Sequence, residues 1–216
     1  YAGRGHTSHD LRWRAALRER FLVASESTAC AAAIVPLGTP APDLPTLGVS
    51  WGSDLLRGPP YPKLDHFAAV VVDTAAGEAV ALANGARRVV RFPWGTDLDF
   101  YEPPESRAWR NTFSVFCPRP YGARDVRIAC AGFGWVGSTG HLTAANMRAG
   151  YRAADVYVTA QPVDGTSVCL LEAMSASLPV VVPDNAGNRE WVEPGVTAGA
   201  PEPRAAPPVG STPSSS

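Results

Sequence analysis

The residues of this chain best suited to chemistry are two carboxylates and the small polar loop between them. They lie in Asp155 to Val192, DVYVTAQPVDGTSVCLLEAMSASLPVVVPDNAGNREWV, which reads as strand, loop, helix, strand, loop and helix start. Asp164, Gly165, Thr166 and Ser167 open the helix. Asp164 is a good N-cap, Gly165 lets backbone approach a ligand, and the free N–H groups of such an end favour a phosphate. Glu172 follows eight residues after Asp164, about 12 Å along a helix axis. Carboxylate pairs that hydrolyse glycosides sit about 5–9.5 Å apart, so these two suit opposite ends of one long ligand better than a single hydrolytic step. A plainer reading stays open, in which Asp164 only caps and Glu172 is a solvated helix residue.

Other constellations are weaker. His6 and His9 stand three apart beside Asp10, but no third ligand cluster accompanies them, and a polar loop before the first helix explains them more simply than a metal site. Residues 132–137, GFGWVG, fit the dinucleotide fingerprint G-x-G-x-x-G, yet Ser138 to Gly140 delay the helix that should open on it, and the next acid, Asp155, precedes a strand. Ser167 has no histidine in a nucleophile-elbow setting. Cys30, Cys117, Cys130 and Cys169 form no Cys-x-x-Cys pair and no zinc or disulfide spacing. A reducing cytoplasm is the expected compartment.

The elements that must position these residues alternate. Apolar runs at Ala69 to Asp73, Arg88 to Phe92, Phe113 to Cys117, Val126 to Ala131, Asp155 to Thr159 and Pro179 to Val182 predict strands buried on both faces. His9 to Arg20, Ala75 to Ala83, Thr143 to Ala153 and Thr166 to Ser177 predict helices, giving an α/β, doubly wound architecture. Only eight residues, Pro118 to Asp125, separate two of the predicted strands. A parallel crossover needs roughly a dozen, so either one run is not a strand of that sheet or a helix has been lost. Pro93 to Ser106 reads as a boundary between two halves, and the Pro/Ser-rich Pro201 to Ser216 has almost nothing to bury and predicts disorder.

Composition sets the outer bounds. The 216 residues are 45% hydrophobic and 18% charged, with a net charge of −1 and Lys63 as the single lysine. That balance excludes nucleic-acid binding by phosphate attraction alone and allows a buried core. No apolar run is long enough for a membrane span, and the opening at Tyr1, without a basic-then-apolar leader, predicts no signal peptide.

The Asp155–Val192 block resembles the donor-binding signature of family-4 retaining glycosyltransferases of the GT-B fold, also described as glycosyl transferases group 1. The family pattern EGxSxxxLEAMAxGxPVV, then a glycine-rich turn and a glutamate, is matched at Gly165, Ser167, Leu171, Glu172, Ala173, Met174, Pro179, Val180, Val181, Gly187 and Glu190. Asp164 stands where the family has its first glutamate. Trp51-Gly52-Ser53-Asp54 resembles the HGSD-type loop of the acceptor half, with Trp51 in place of histidine. Pro93 to Asp97, then Phe100 and Pro103, resembles the segment before the interdomain linker, and the opening residues resemble the first strand and loop of the acceptor domain. Arg119 and Arg124 fall where the family places an arginine and a lysine on the donor diphosphate.

The resemblance implies two incomplete Rossmann-like domains: an acceptor side over residues 1–103, a nucleotide-sugar side over 104–200, and a tail over 201–216. It implies transfer of a sugar, with retention, from a nucleotide sugar to an unidentified hydroxyl. Asp164 and Glu172 would be the catalytic residues, Glu172 also binding the ribose; Asp164 with Gly165, Thr166 and Ser167 would hold the sugar and distal phosphate, with Leu171 alongside; Arg119 and Arg124 would neutralise the leaving diphosphate. His6, His9, Trp51 and Asp54 would face the acceptor. No metal or cofactor is implied; the partners are the donor and a glycan, lipid or small-molecule acceptor, with peripheral membrane contact open. The same donor half serves an epimerase, and a truncated, internally shortened copy would be a non-catalytic fragment.

Overall fold

The two short sheets that carry the site are each built by parallel crossover. The computed structural model describes residues 32–37, 43–50, 52–61, 63–106, 113–118, 123–136 and 143–195. The first sheet consists of β1 (Ala33–Pro36), β2 (Thr46–Val49), β3 (Ala69–Val72) and β4 (Val89–Arg91), in that order and all parallel. The second consists of β5 (Ser114–Phe116), β6 (Gly134–Val136), β7 (Val156–Val158) and β8 (Val180–Val181), in the order β6-β5-β7-β8 and again all parallel.

Helix α1 (Ala75–Ala83) connects β3 to β4, and Thr74 caps it by accepting the Gly77 N–H at 3.0 Å. Ala81 of α1 joins Val70 and Val72 of β3 in a core completed by Leu55, Leu64 and Phe67. In the second sheet, α2 (Ala123–Ala129) lies between β5 and β6, α3 (Ala144–Ala153) between β6 and β7, and α4 (Val168–Ser175) between β7 and β8. Alternate strand residues face opposite sides. Phe116, Tyr157 and Val180 therefore meet Met147 and Tyr151 of α3 and Leu170 and Ala173 of α4, whereas Val115 and Val156 meet Val126 of α2. This second sheet is covered on both faces, as a parallel sheet requires. Tyr101, from the turn-rich stretch after β4, is buried in the same core, its ring edge-on to Tyr151 at 5.8 Å.

The predicted strand Val126 to Ala131 is a helix instead. Val126 and Cys130 are one helical turn apart and face the core, while Ile128 between them is 64% exposed. The run looked continuous because its apolar residues are close in sequence, but their burial follows the 3.6-residue period. This removes the difficulty at Pro118 to Asp125: the crossover from β5 reaches β6 through α2, and the helix expected to be absent after Arg119 is present. The G-x-G-x-x-G stretch is likewise no phosphate turn followed at once by a helix, because β6 runs through its second half and Gly134 N–H donates to Phe113 O at 2.7 Å. Strands β1 and β2 carried no expectation. Gly48 of β2 has no Cβ because Phe67 and Leu37 fill that space, 2.8 Å from where it would stand. The predicted helix His9 to Arg20 and the tail Pro201 to Ser216 lie outside the described residues.

Candidate donor site

The loop from β7 to α4 carries the predicted donor-binding residues. Glu172 lies inside α4 as expected, but Asp164 stands four residues before Val168 and does not cap the helix. The N-cap is Ser167, whose side chain makes no capping bond. The helical spacing of 12 Å between Asp164 and Glu172 therefore does not apply. Asp164 is half-buried in the loop, and Gly165, Thr166, Ser167 and Leu171 are buried.

Gly165 is glycine for a steric reason: a Cβ there would collide with the Asp73 carboxylate and lie 2.7 Å from the Gly52 Cα. From another side, Gly187 approaches the carbonyls of Asp164 and Gly165 so closely that it too has no room for a Cβ. Asn188 Nδ2, donating to Pro183 O at 2.8 Å, folds the segment bearing Gly187 back on itself, and Asn185 Nδ2, donating to Gln161 O at 3.2 Å, ties that segment to the stretch after β7. The loop is thus enclosed by Gly52, by the Asp73 carboxylate and by Gly187, from three separate stretches of chain.

Glu172 is not a solvated helix residue. It is 5% exposed, and its Oε2 accepts from the Tyr151 hydroxyl at 3.0 Å. The same hydroxyl lies 3.1 Å from the Cys169 carbonyl. Burial first, then the neighbouring Cys169 and Glu172, push the Tyr151 phenol well above its usual range, so it remains a proton donor. A carboxylate buried in this way needs such a partner.

Asp73 was not foreseen. It follows β3 in the first sheet and is 1% exposed, and its Oδ2 accepts the Thr166 N–H at 2.7 Å. Thr166 Oγ1 in turn donates to the Asp73 carbonyl at 3.1 Å. Burial raises the Asp73 carboxyl to about 6; the Thr166 N–H opposes that rise, and Asp164 and Glu190 add to it. Glu190 Oε1 accepts the Ala75 N–H at the start of α1, at 2.6 Å. No local pattern signals Asp73 or Tyr151, whose partners are distant in sequence. Gly187 and Glu190 were visible as pattern matches without a role.

The remaining predicted residues are spread more widely. Arg124 is exposed on α2, and Asp54 is exposed in the 3-10 helix Ser53–Leu55. Arg119, Trp51, His6 and His9 lie outside the described residues. Cys117, Cys130 and Cys169 form no disulfide. Among the described residues no cluster of three histidine, cysteine or acidic side chains could hold a metal, and no helix is long and apolar enough to cross a membrane.

Residues 112–207 match the family of glycosyl transferases group 1. The fold resembles that of a mutant of TarM from S. aureus, solved in complex with fondaparinux, alpha-GlcNAc-glycerol and UDP. The TM-score is 0.54 at 15% identity, over 72% of this chain and 40% of that one. The pneumococcal O-GlcNAc transferase GtfA, solved in complex with UDP and GlcNAc, gives a TM-score of 0.48 at 16% identity, over 70% of this chain and 40% of that one. The chain spans two fifths of the length of both. No curated protein matches it. The segment that matches glycosyl transferases group 1 contains the whole second sheet, and the α/β architecture of the chain resembles that of TarM.

Proposed function

We propose that this chain binds a nucleotide sugar at the β7–α4 loop and takes part in transferring the sugar, with retention, to a hydroxyl acceptor. The observation that carries the reading is the enclosed loop Asp164–Ser167, with Gly165 in close backbone contact, running into α4, and Glu172 buried one turn further on and held by Tyr151, all within the family-matched segment. In this reading the loop backbone and Asp164 hold the sugar and distal phosphate, where helix-end N–H groups favour an anion. Glu172 accepts from the ribose hydroxyls. Arg124, with Arg119, approaches the diphosphate as negative charge develops on it, the role that preorganised cations fill in group transfer. Trp51, Asp54, His6 and His9 belong to the acceptor side. TarM was solved with UDP, which makes UDP-sugars the first donors to try.

The test is incubation of the chain with a panel of labelled UDP-, ADP- and GDP-sugars and mixed hydroxyl acceptors, followed by product analysis. Nucleotide release with a glycosidic product of the donor's anomeric configuration supports the reading. Inverted configuration refutes retention, and a new nucleotide sugar formed without acceptor points to an epimerase.

A further inference from the structure

We propose that Asp73 is a positioning residue for the donor loop, supplied by the opposite sheet: it holds Thr166 in place, so that the loop takes its ligand-binding shape only while the two sheets are in contact. The inference rests on the donor-site reading given above. Three observations carry it. Both acceptor groups of Asp73 are engaged by one residue, since its carboxylate accepts the Thr166 N–H at 2.7 Å and its carbonyl accepts the Thr166 hydroxyl at 3.1 Å. The contact is reciprocated two residues on, where Ala75 N–H donates to Glu190 Oε1 at 2.6 Å. Finally, Gly165, the residue before Thr166, has no Cβ at the point where the Asp73 carboxylate and Gly52 stand. Each sheet thus sends one carboxylate to a backbone N–H of the other, and the loop between β7 and α4 lies at the seam.

The seam also buries the Asp73 carboxyl, and Asp164 of the loop and Glu190 of the 3-10 helix Asn188–Glu190 add a smaller like-charge effect, so that it is raised from its ordinary 3.8 to about 6. A proton on Asp73 relieves the cost of burying its charge, so the closed seam binds a proton more tightly than the open one. Contact between the sheets therefore weakens as pH rises through about 6.

Amide hydrogen exchange of the full ¹⁵N-labelled chain tests the proposal without any ligand, reading the Thr166 N–H against the Ala173 N–H inside α4. We expect Asp73→Ala to speed Thr166 exchange by about tenfold or more, the scale of a lost charge-assisted hydrogen bond, while Ala173 keeps its protection. Asp73→Asn, which keeps the acceptor oxygen, should restore most of it. Between about pH 5 and about pH 7 the protection of Thr166 relative to Ala173 should fall in the parent chain and stay level in Asp73→Asn. Unchanged Thr166 exchange in Asp73→Ala, or the same pH profile in both chains, overturns the proposal. Should Asp73→Ala lose protection throughout, Glu190→Ala replaces it: opening the seam from the other side must also expose Thr166, and an unaltered Thr166 rate refutes the coupling. A calorimetric titration with UDP, ADP and GDP then separates the two readings. Weaker binding in Asp73→Ala supports positioning, and equal binding in both chains rejects it. No binding of any nucleotide by the parent chain, with Thr166 behaving as expected, rejects the donor-site reading alone.

Discussion

At the residue scale, two side chains with no visible sequence signal govern the two carboxylate sites. Tyr151 is one. Removing its hydroxyl leaves the buried Glu172 short of a donor, so Tyr151→Phe should destabilise the chain by about 1–2 kcal/mol and weaken nucleotide binding severalfold, as read by urea denaturation and calorimetry. Asp73 is the other. Its carboxyl rises from 3.8 to about 6 on folding, so the folded chain takes up a proton that the unfolded chain has released. That contribution is full below about pH 4, declines as pH rises through about 6, and amounts to at most about 3 kcal/mol. Stability of the parent chain should therefore fall over that window, and Asp73→Asn should flatten the profile. A parent profile that rises instead would mean that the Thr166 hydrogen bond outweighs burial. Neither residue could be read from the sequence, because Asp73 and Thr166 are 93 positions apart and Tyr151 and Glu172 are 21 apart. The placement of Glu172 within a helix and of Gly165 and Ser167 just before it was legible because their spacing is local and lies within one strand–loop–helix unit.

At the element scale, helices with caps and periodic faces were read nearly to the residue. Helix α1 ends where expected, and α3 begins after its Thr143 cap, whose side chain accepts the Asn146 N–H at 3.2 Å. Apolar content alone does not report burial: Val126 to Ala131 predicts a strand, but Ile128 is apolar and exposed, and the segment forms α2. Strands β1 (AIVP) and β2 (TLGV) were not read because a proline ends one and a glycine interrupts the other. The end of α4 carries a testable irregularity. Ser177 sits at φ 55°, with its N–H donating to Met174 O at 2.9 Å and the Leu178 N–H donating to Ala173 O at 3.0 Å. This is a Schellman ending, in which the left-handed position favours glycine, and the family pattern has glycine there. Ser177→Gly should stabilise the chain by about 1 kcal/mol, visible as a higher urea midpoint at unchanged slope. A lower midpoint would show that the Ser177 side chain makes a compensating contact.

At the scale of the whole molecule, the α/β architecture was legible, whereas the seam between the sheets was not. Strand–helix alternation dictates parallel crossovers within each sheet, but nothing in either half announces which of its backbone groups will meet the other. The seam explains why Gly165 has no side chain, and it makes a further prediction: Gly165→Ala would drive a methyl group into Asp73 and Gly52. That variant should speed Thr166 amide exchange and lose nucleotide binding together. Loss of binding with Thr166 still protected would place the fault within the loop instead of at the seam. The claim on which the functional reading depends is that the segment from Asp164 to Glu172 holds a nucleotide sugar. The most direct measurement is a calorimetric titration of the full chain and of Glu172→Ala with UDP-GlcNAc, both shown to be folded by a cooperative thermal transition. The account predicts saturable binding by the parent chain and an affinity lower by about tenfold or more in the variant, as expected for the loss of hydrogen bonds to a charged group. Equal affinity in the two chains would contradict it.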